Sequence, residues 1–422
     1  MTGSGEWQFV LFALAIGLSE VASGLVATIP VLAGAILQVL TPWGVRKSGS
    51  IRRWVWINAA IQAGMLGVLS VAAFNGGLPG WGLYLVIAGY WASGYMTGPP
   101  WTAWVTSLVP SGVRATFWVN RSRWIQGALG LGLGAGLVLQ WGESAGMPLV
   151  AFGVVFALAA LARTISSICL ANQSEAEPGL LEKIETPSRA SLSRHFADRR
   201  IRGLLLYMLA FFLSVFVAAP FIGPYLREQL HFEYWQIMVI SGSPFLVKVL
   251  LLPMIGRLVN SRGPARVLWM GALTLVPTGA LWAVSESFWW LLAIQLSVGF
   301  GWACWETGSF LLVFDVIPAE KRTPVMTMYQ LALALVMVGG SLIGGGVLEW
   351  VGVNMTGYLA MFICTSLMRF MALFLLASLE PSGFRIRNRV WRLTGRSLGL
   401  LPGVGSAGVG ESPDQDDISR RG

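Results

Sequence analysis

Landmarks in the first half of this chain return in its second half about 210 residues later. The fold must therefore be a duplicated one. The basic turn Lys47-Ser48-Gly49-Ser50-Ile51-Arg52-Arg53 returns as Ser261-Arg262-Gly263-Pro264-Ala265-Arg266, an offset of 214. Pro110 with Arg114 returns as Pro318 with Arg322, an offset of 208. Arg163, near the end of an apolar run closing in Leu170-Ala171, returns as Arg369 before Leu376-Ala377, an offset of 206. Leu18-Ser19-Glu20 answers to His231-Phe232-Glu233, an offset of 213. The intervening segments are long and apolar, so the repeated unit is a membrane bundle, an architecture that transporters commonly use.

A composition of 55% apolar and only 12% charged residues excludes an ordinary soluble domain, which carries about a quarter charged residues. The 20 Trp and 51 Gly fit the same environment. Trp concentrates at bilayer interfaces, and small residues let membrane helices approach closely. Cys169, Cys304 and Cys364 all lie in apolar runs without metal-ligand spacing, so they read as packing residues and no metal site is expected.

Runs of about 20 apolar residues fall near 8–18, 22–43, 54–74, 81–107, 123–141, 147–170, 202–224, 236–256, 267–284, 288–314, 324–348 and 355–379. That gives an all-α integral membrane protein of about twelve spans in two pseudo-symmetric six-helix bundles. The expected organisation is a first bundle over 1–170, a central loop over 171–201, a second bundle over 202–379 and a tail over 380–422. The runs are too long and continuous for a membrane β-barrel, whose strands alternate.

If the spans alternate, 27 of the 29 Lys and Arg residues fall on one side. Only Arg227 lies on the other, and Lys248 sits within a span. By the positive-inside rule the crowded side is the cytoplasm, which also places both termini and the central loop there. The expected location is the plasma (cytoplasmic) membrane. The formal charge of +9 is thereby explained by topology, without nucleic acid as a partner. The basic tail Phe384 to Arg392 fits anionic headgroups, and the Gly- and Ser-rich stretch that follows reads as disordered.

Only about eleven apolar residues precede Glu20, too few for a span. The repeat places the start of a full first helix about eleven residues upstream of Met1. Either the first helix lacks its cytoplasmic half because translation begins upstream, or the segment is short, tilted or interfacial, or the product is truncated.

Twelve spans in two sixes, a cytoplasmic central loop and a Gly-basic turn after the second and eighth spans resemble the major facilitator superfamily. Its loop motif runs Gly-x-x-x-Asp-Arg/Lys-x-Gly-x-Arg. The second half shows Gly256-Arg257-Leu258-Val259-Asn260-Ser261-Arg262-Gly263, with Asn260 in place of Asp. In the first half Pro42 replaces the first Gly and Arg46 the Asp, while Lys47, Gly49 and Arg52 remain. The resemblance implies gate and hinge roles for Gly49, Arg52, Gly256, Asn260 and Gly263, and Arg114 and Arg322 belong with these loops. The alternative is that these are only turn residues and topology-setting charges. The family's antiport signature on the fifth helix contains Gly-Pro, whereas here Gly127 to Gly136 form a glycine run without proline, a pattern of close helix packing.

Ionisable groups within a membrane are costly and mark pathways or coupled pairs. Glu306 is deep in the tenth span and Lys248 in the eighth, at depths that allow them to pair. Glu6 joins them only if the first helix extends upstream. His195 and His231 fall in loops, so any proton coupling rests on Glu306 and Glu6. The competing readings are a structural ion pair for Glu306 and snorkelling for Lys248. The family lines its cavity with the first, fourth, seventh and tenth helices. Here these carry Tyr90, Trp91, Tyr95, Trp101, Trp104, Tyr207, Trp302 and Trp305, a lining suited to apolar or amphipathic organic solutes, although for any one ring packing is the preferred reading.

No Gly-x-x-x-x-Gly-Lys-Ser/Thr is present to drive an ATP pump, and the spans offer no His and no second unconditional carboxylate for an enzyme site. The expectation is a monomeric secondary transporter of a small organic solute working by alternating access, without cofactor, and with proton-coupled efflux as one form. An uncoupled facilitator, or a non-transporting membrane sensor or scaffold, are the alternatives.

Overall fold

The structure, a computed structural model, describes residues 8–110, 134–175, 198–317 and 319–378, with isolated positions between 117 and 132. Among the described residues all regular structure is helical. The internal repeat survives as repeated geometry. The second span, Glu20–Ser48, and the eighth, Tyr234–Arg262, are both 29 residues long and begin 214 positions apart. The fourth, Gly80–Leu108, and the tenth, Phe288–Val316, are also 29 residues each and are offset by 208 at both ends. At 1.5 Å per residue such helices run roughly 44 Å, enough to cross the hydrocarbon core and both headgroup layers.

Eight helices among the described residues are long and apolar enough to cross a membrane. The remaining spans are shorter or less regular. The first is described only from Gln8 to Ala15 and the fifth only from Ala135 to Ser144 as a helix. The fourth carries Pro99, Pro100 and several polar residues. The ninth breaks at Pro277 into Pro264–Leu275 and Thr278–Trp282, because proline supplies no N–H and crowds the preceding turn. The twelfth span, Met355–Ala377, closes that break. Arg369 donates from Nη1 to the Leu275 carbonyl at 2.8 Å and to Thr278 Oγ1 at 2.6 Å, and Ser366 Oγ accepts from the Ala280 N–H at 2.8 Å.

Caps fix where the spans start. Ser50 accepts from the Arg53 N–H at 3.0 Å at the head of the third span, Ile51–Phe74. Glu233 and Gln236 form a reciprocal capping box at the head of the eighth. The seventh helix begins at Arg199, three residues before the apolar run that announces it, because Asp198 caps it through the Arg200 N–H at 2.8 Å.

The apolar core divides unequally along the bundle. At the end away from the basic turns one cluster contains residues of both halves, including Phe12, Phe152, Phe221, Tyr225 and Tyr358. Toward the basic turns the core separates. One cluster, with Val45, Ile51, Val55 and Trp104, belongs to the first half, and two others, around Phe211 with Trp305 and around Ile255 with Cys304, belong to the second. Among the described residues the halves thus share a core at one end only. Their junction pairs the second span with the eleventh, where Thr28 Oγ1 and Ser341 Oγ lie 2.7 Å apart, and the fifth with the eighth, where a Cβ on Gly136 would collide with Met238.

Candidate functional site

Outside the shared core, the second half carries a charged pair. Lys248 Nζ lies 3.0 and 3.3 Å from the two carboxylate oxygens of Glu306. Counting from the helix starts at Tyr234 and Phe288, the two Cα positions are roughly 21 and 27 Å along their spans. The lysine stem covers the difference by extending toward the basic end. On the eighth span Val239, Leu246 and Leu250 form an exposed apolar face suited to lipid, and Lys248 lies on the opposite side. On the tenth span Trp289 and Leu296 mark the lipid face, while Glu306 stands one turn beyond Trp302 on a different face. The two side chains nevertheless remain 21% and 42% exposed. Lys248 thus faces away from the lipid side of the eighth span and Glu306 lies about a quarter-turn from that of the tenth, and both remain partly exposed. Phe245, 42% exposed and one turn before Lys248, holds its ring 5.5 Å from Nζ.

The internal repeat has no such pair in the first half. The offset of 214 takes Lys248 to Gly34, and the offset of 208 takes Glu306 to Gly98. At Gly34 a Cβ would press on the backbone of Trp91 and Ala92 at 2.9–3.0 Å, whereas at Gly98 it would meet nothing within 4 Å. The fourth span is therefore bare at the position matching Glu306.

Other candidate side chains serve different ends. Tyr207 and Trp305 are buried in the second half's own core, where Trp305 Nε1 donates to Tyr207 Oη at 2.9 Å and the indole stacks on Phe211 at 5.0 Å. Their polar atoms satisfy each other, so they form a wall behind the site and do not line it. Tyr90 and Trp104 are buried likewise, and Trp104 Nε1 donates to the Ser174 carbonyl at 3.0 Å. Trp302, Tyr95 and Trp101 are half-buried; Tyr95 packs beside Trp91 at 5.9 Å and Trp101 lies 4.5 Å from the Arg121 guanidinium. Gly49 and Gly263 both have positive φ, +69° and +85°, and so require glycine at the two related turns. Arg52 reaches the Gln173 carbonyl at 2.9 Å and Glu175 at 3.5 Å, both beyond the sixth span of its own half. It therefore straps the start of the central loop to the third span and does not cross between halves. Asn260 is exposed, and a Cβ at Gly256 would meet nothing. Glu6 and Arg114 lie outside the described residues, and Arg322 is described only as backbone of the eleventh helix, Ala319–Val351.

A second polar cluster, at the joined end, is absent from the sequence-based set. Glu20 accepts from Tyr358 Oη at 2.6 Å and from Gln229 Nε2 at 3.0 Å, and Arg227 pairs with Glu143. The Gln140 side chain accepts from the Tyr234 N–H at 3.0 Å. Each of these contacts joins the first half to the second. The available signal was Arg227, the lone basic residue on its side of the bundle.

The family model of the Major Facilitator Superfamily matches residues 204–398. No curated protein matches the chain by sequence. A variant of the nucleoside transporter NupG superposes with a TM-score of 0.69 at 12% identity, over 90% of this chain and 96% of that one. A POT family transporter in complex with 5-aminolevulinic acid gives 0.66 at 12% identity, over 90% and 93%. A bacterial homologue of the human lysosomal transporter Spinster, inward-facing and occupied, gives 0.63 at 12% identity, over 89% and 93%. Identities this low carry the fold and nothing about substrates. The Major Facilitator Superfamily thus matches the second half of the chain and the whole length takes the fold of these transporters, which points to a multi-pass membrane transporter and not an enzyme.

Proposed function

We propose that the protein is a secondary active transporter that moves a small organic solute by rocking its two six-helix halves about a midplane site, with the basic end and both termini in the cytoplasm of a plasma membrane. The observation that carries this reading is the unequal core. Among the described residues the halves share packing and polar ties at the end away from the basic turns and no core cluster toward the basic end, so on this reading a gap opens there and the Lys248–Glu306 pair borders it. In this orientation the state is inward-facing, with its outer gate shut. Glu306 is the residue for coupling or solute contact, a proton gradient is the energy source, and the turns at Gly49 and Gly263 are the hinges of the inner gate. The working unit is a monomer.

Spin labels test the reading on the purified full chain in proteoliposomes, with Cys169, Cys304 and Cys364 replaced. One label pair at positions 19 and 356 reports the joined end, and another at 48 and 261 reports the basic end. The expected result is two distances for each pair, moving in opposite senses when a proton gradient is imposed. Loss of this response in Glu306→Gln, with the states still populated, assigns the coupling to Glu306. A gradient-insensitive exchange in the wild type indicates an uncoupled facilitator. A single fixed distance at both ends overturns transport in favour of a sensor or scaffold.

A further inference from the structure

Resting on the transporter reading, we infer that the solute is a zwitterion of zero net charge with an apolar body, its anionic group received by Lys248 and its cationic group by Glu306. The Lys248–Glu306 pair is neutral as a unit, and neither side chain has a further polar partner among the described residues. A carboxylate offers about four acceptor directions and an ammonium three donors, so each group keeps capacity after pairing with the other. Both side chains remain partly exposed, so neither is sealed within the core of its own half.

Charge balance then selects the solute. An anion bound to Lys248 leaves Glu306 uncompensated, and a cation bound to Glu306 leaves Lys248 so. In the interior of a membrane bundle an unpaired charge is far more costly than a paired one. A zwitterion satisfies both groups and keeps the site neutral whether the protein pair stays closed or opens to admit it. The neighbours suit the rest of such a molecule. Phe245 and Trp302 each stand one turn from a charged residue and make the surroundings aromatic, and Gly98 leaves the matching position of the fourth span without a side chain. An amino-acid-like solute with an aromatic or branched side chain meets these conditions together.

The test uses purified full-length protein and three probes that share one side chain and differ in charge: phenylalanine, its methyl ester as the cation and its N-acetyl derivative as the anion. Binding is read by calorimetry and by the shift in thermal midpoint, with leucine and tryptophan as further zwitterions. The zwitterions should bind at least about tenfold more tightly than either singly charged analogue, the scale of one lost charge-assisted hydrogen bond. Lys248→Met and Glu306→Gln should each remove that preference. The reversed pair, Lys248→Glu with Glu306→Lys, should restore it, which a purely structural pair would not do. Gly98→Leu should leave the thermal midpoint unchanged and abolish binding. Tighter binding of the ester or of the N-acetyl derivative overturns the proposal, and so does the absence of binding by all the zwitterions. A protein that exchanges states in the spin-label experiment yet prefers the ester remains a transporter with a different solute, so failure of this inference is distinguishable from failure of the transport reading.

Discussion

Tyr358 donates its hydroxyl to Glu20 at 2.6 Å, joining the head of the twelfth span to the head of the second across 338 residues of chain. With Gln229 on the same carboxylate and Arg227 on Glu143, it forms a polar clasp across the junction of the halves. Such a clasp has to release if the halves are to part at this end.

Removing the Tyr358 hydroxyl should favour release. A hydrogen bond to a charged group contributes about 1.5–3 kcal/mol, so Tyr358→Phe or Glu20→Gln should raise the ratio of open to shut molecules at this end by roughly tenfold or more. The label pair at 19 and 356 measures that ratio directly. An unchanged distribution in both variants would show that the clasp is incidental to closure.

The Arg227–Glu143 pair is partly exposed, at 24% and 32%, so its contribution should be smaller and salt-sensitive. A double-mutant cycle with Arg227→Gln and Glu143→Gln, read on the same labels, should give a coupling energy of about 0.5–1 kcal/mol that falls on raising the salt concentration. A coupling of zero at low salt would remove this pair from the gate.

The two glycines of the second loop motif should respond differently to alanine. Gly263 combines φ +85° with ψ 156°, a region essentially reserved for glycine, so Gly263→Ala should destabilise the fold by about 1–3 kcal/mol. Gly256 is helical with open space around it, and Gly256→Ala should be neutral or stabilising by up to about 1 kcal/mol. Thermal unfolding of the two variants side by side checks the contrast. Equal losses would mean that the loop is held by something other than its backbone conformation.

The basic charge predicts a membrane orientation that labelling can check. A single cysteine at position 180 should react only from the cytoplasmic side, and single cysteines at 77 and 230 only from outside. The opposite pattern at any two of these positions would invert the bundle.

Much of this fold was legible in the sequence because the repeat fixes span ends in both halves at once. Glu20 with Tyr234 and Gly80 with Phe288 keep the offsets that the basic turns announce. The Lys248–Glu306 contact was legible too, since two opposite charges at similar depth in neighbouring spans have few other means of neutralisation. The clasp was not. Glu20, Glu143, Arg227 and Gln229 sit at helix ends, where charge ordinarily faces water, and nothing local tells which end residues meet a partner. The use of each aromatic was not legible for a related reason. Trp302 and Trp305 stand three positions apart on one helix, which places them on neighbouring faces, and only packing decides that Trp305 closes against Tyr207 while Trp302, on the same aromatic cluster, stays half-buried.

Arg369 bears on how the protein is made. A charged residue at this depth costs about 2.5–3.5 kcal/mol to insert on its own, yet its partners, the Leu275 carbonyl and Thr278, belong to the broken ninth span, which leaves the ribosome first. Neither piece of that span, 12 and 5 residues long, can cross a bilayer unaided. The twelfth span is long and apolar enough to cross a membrane despite Arg369, and it supplies the hydrogen-bond partners that the broken ninth lacks. The expected consequence is that insertion of the ninth span depends on the twelfth, so chains ending before Met355 should integrate that span less completely than the full chain.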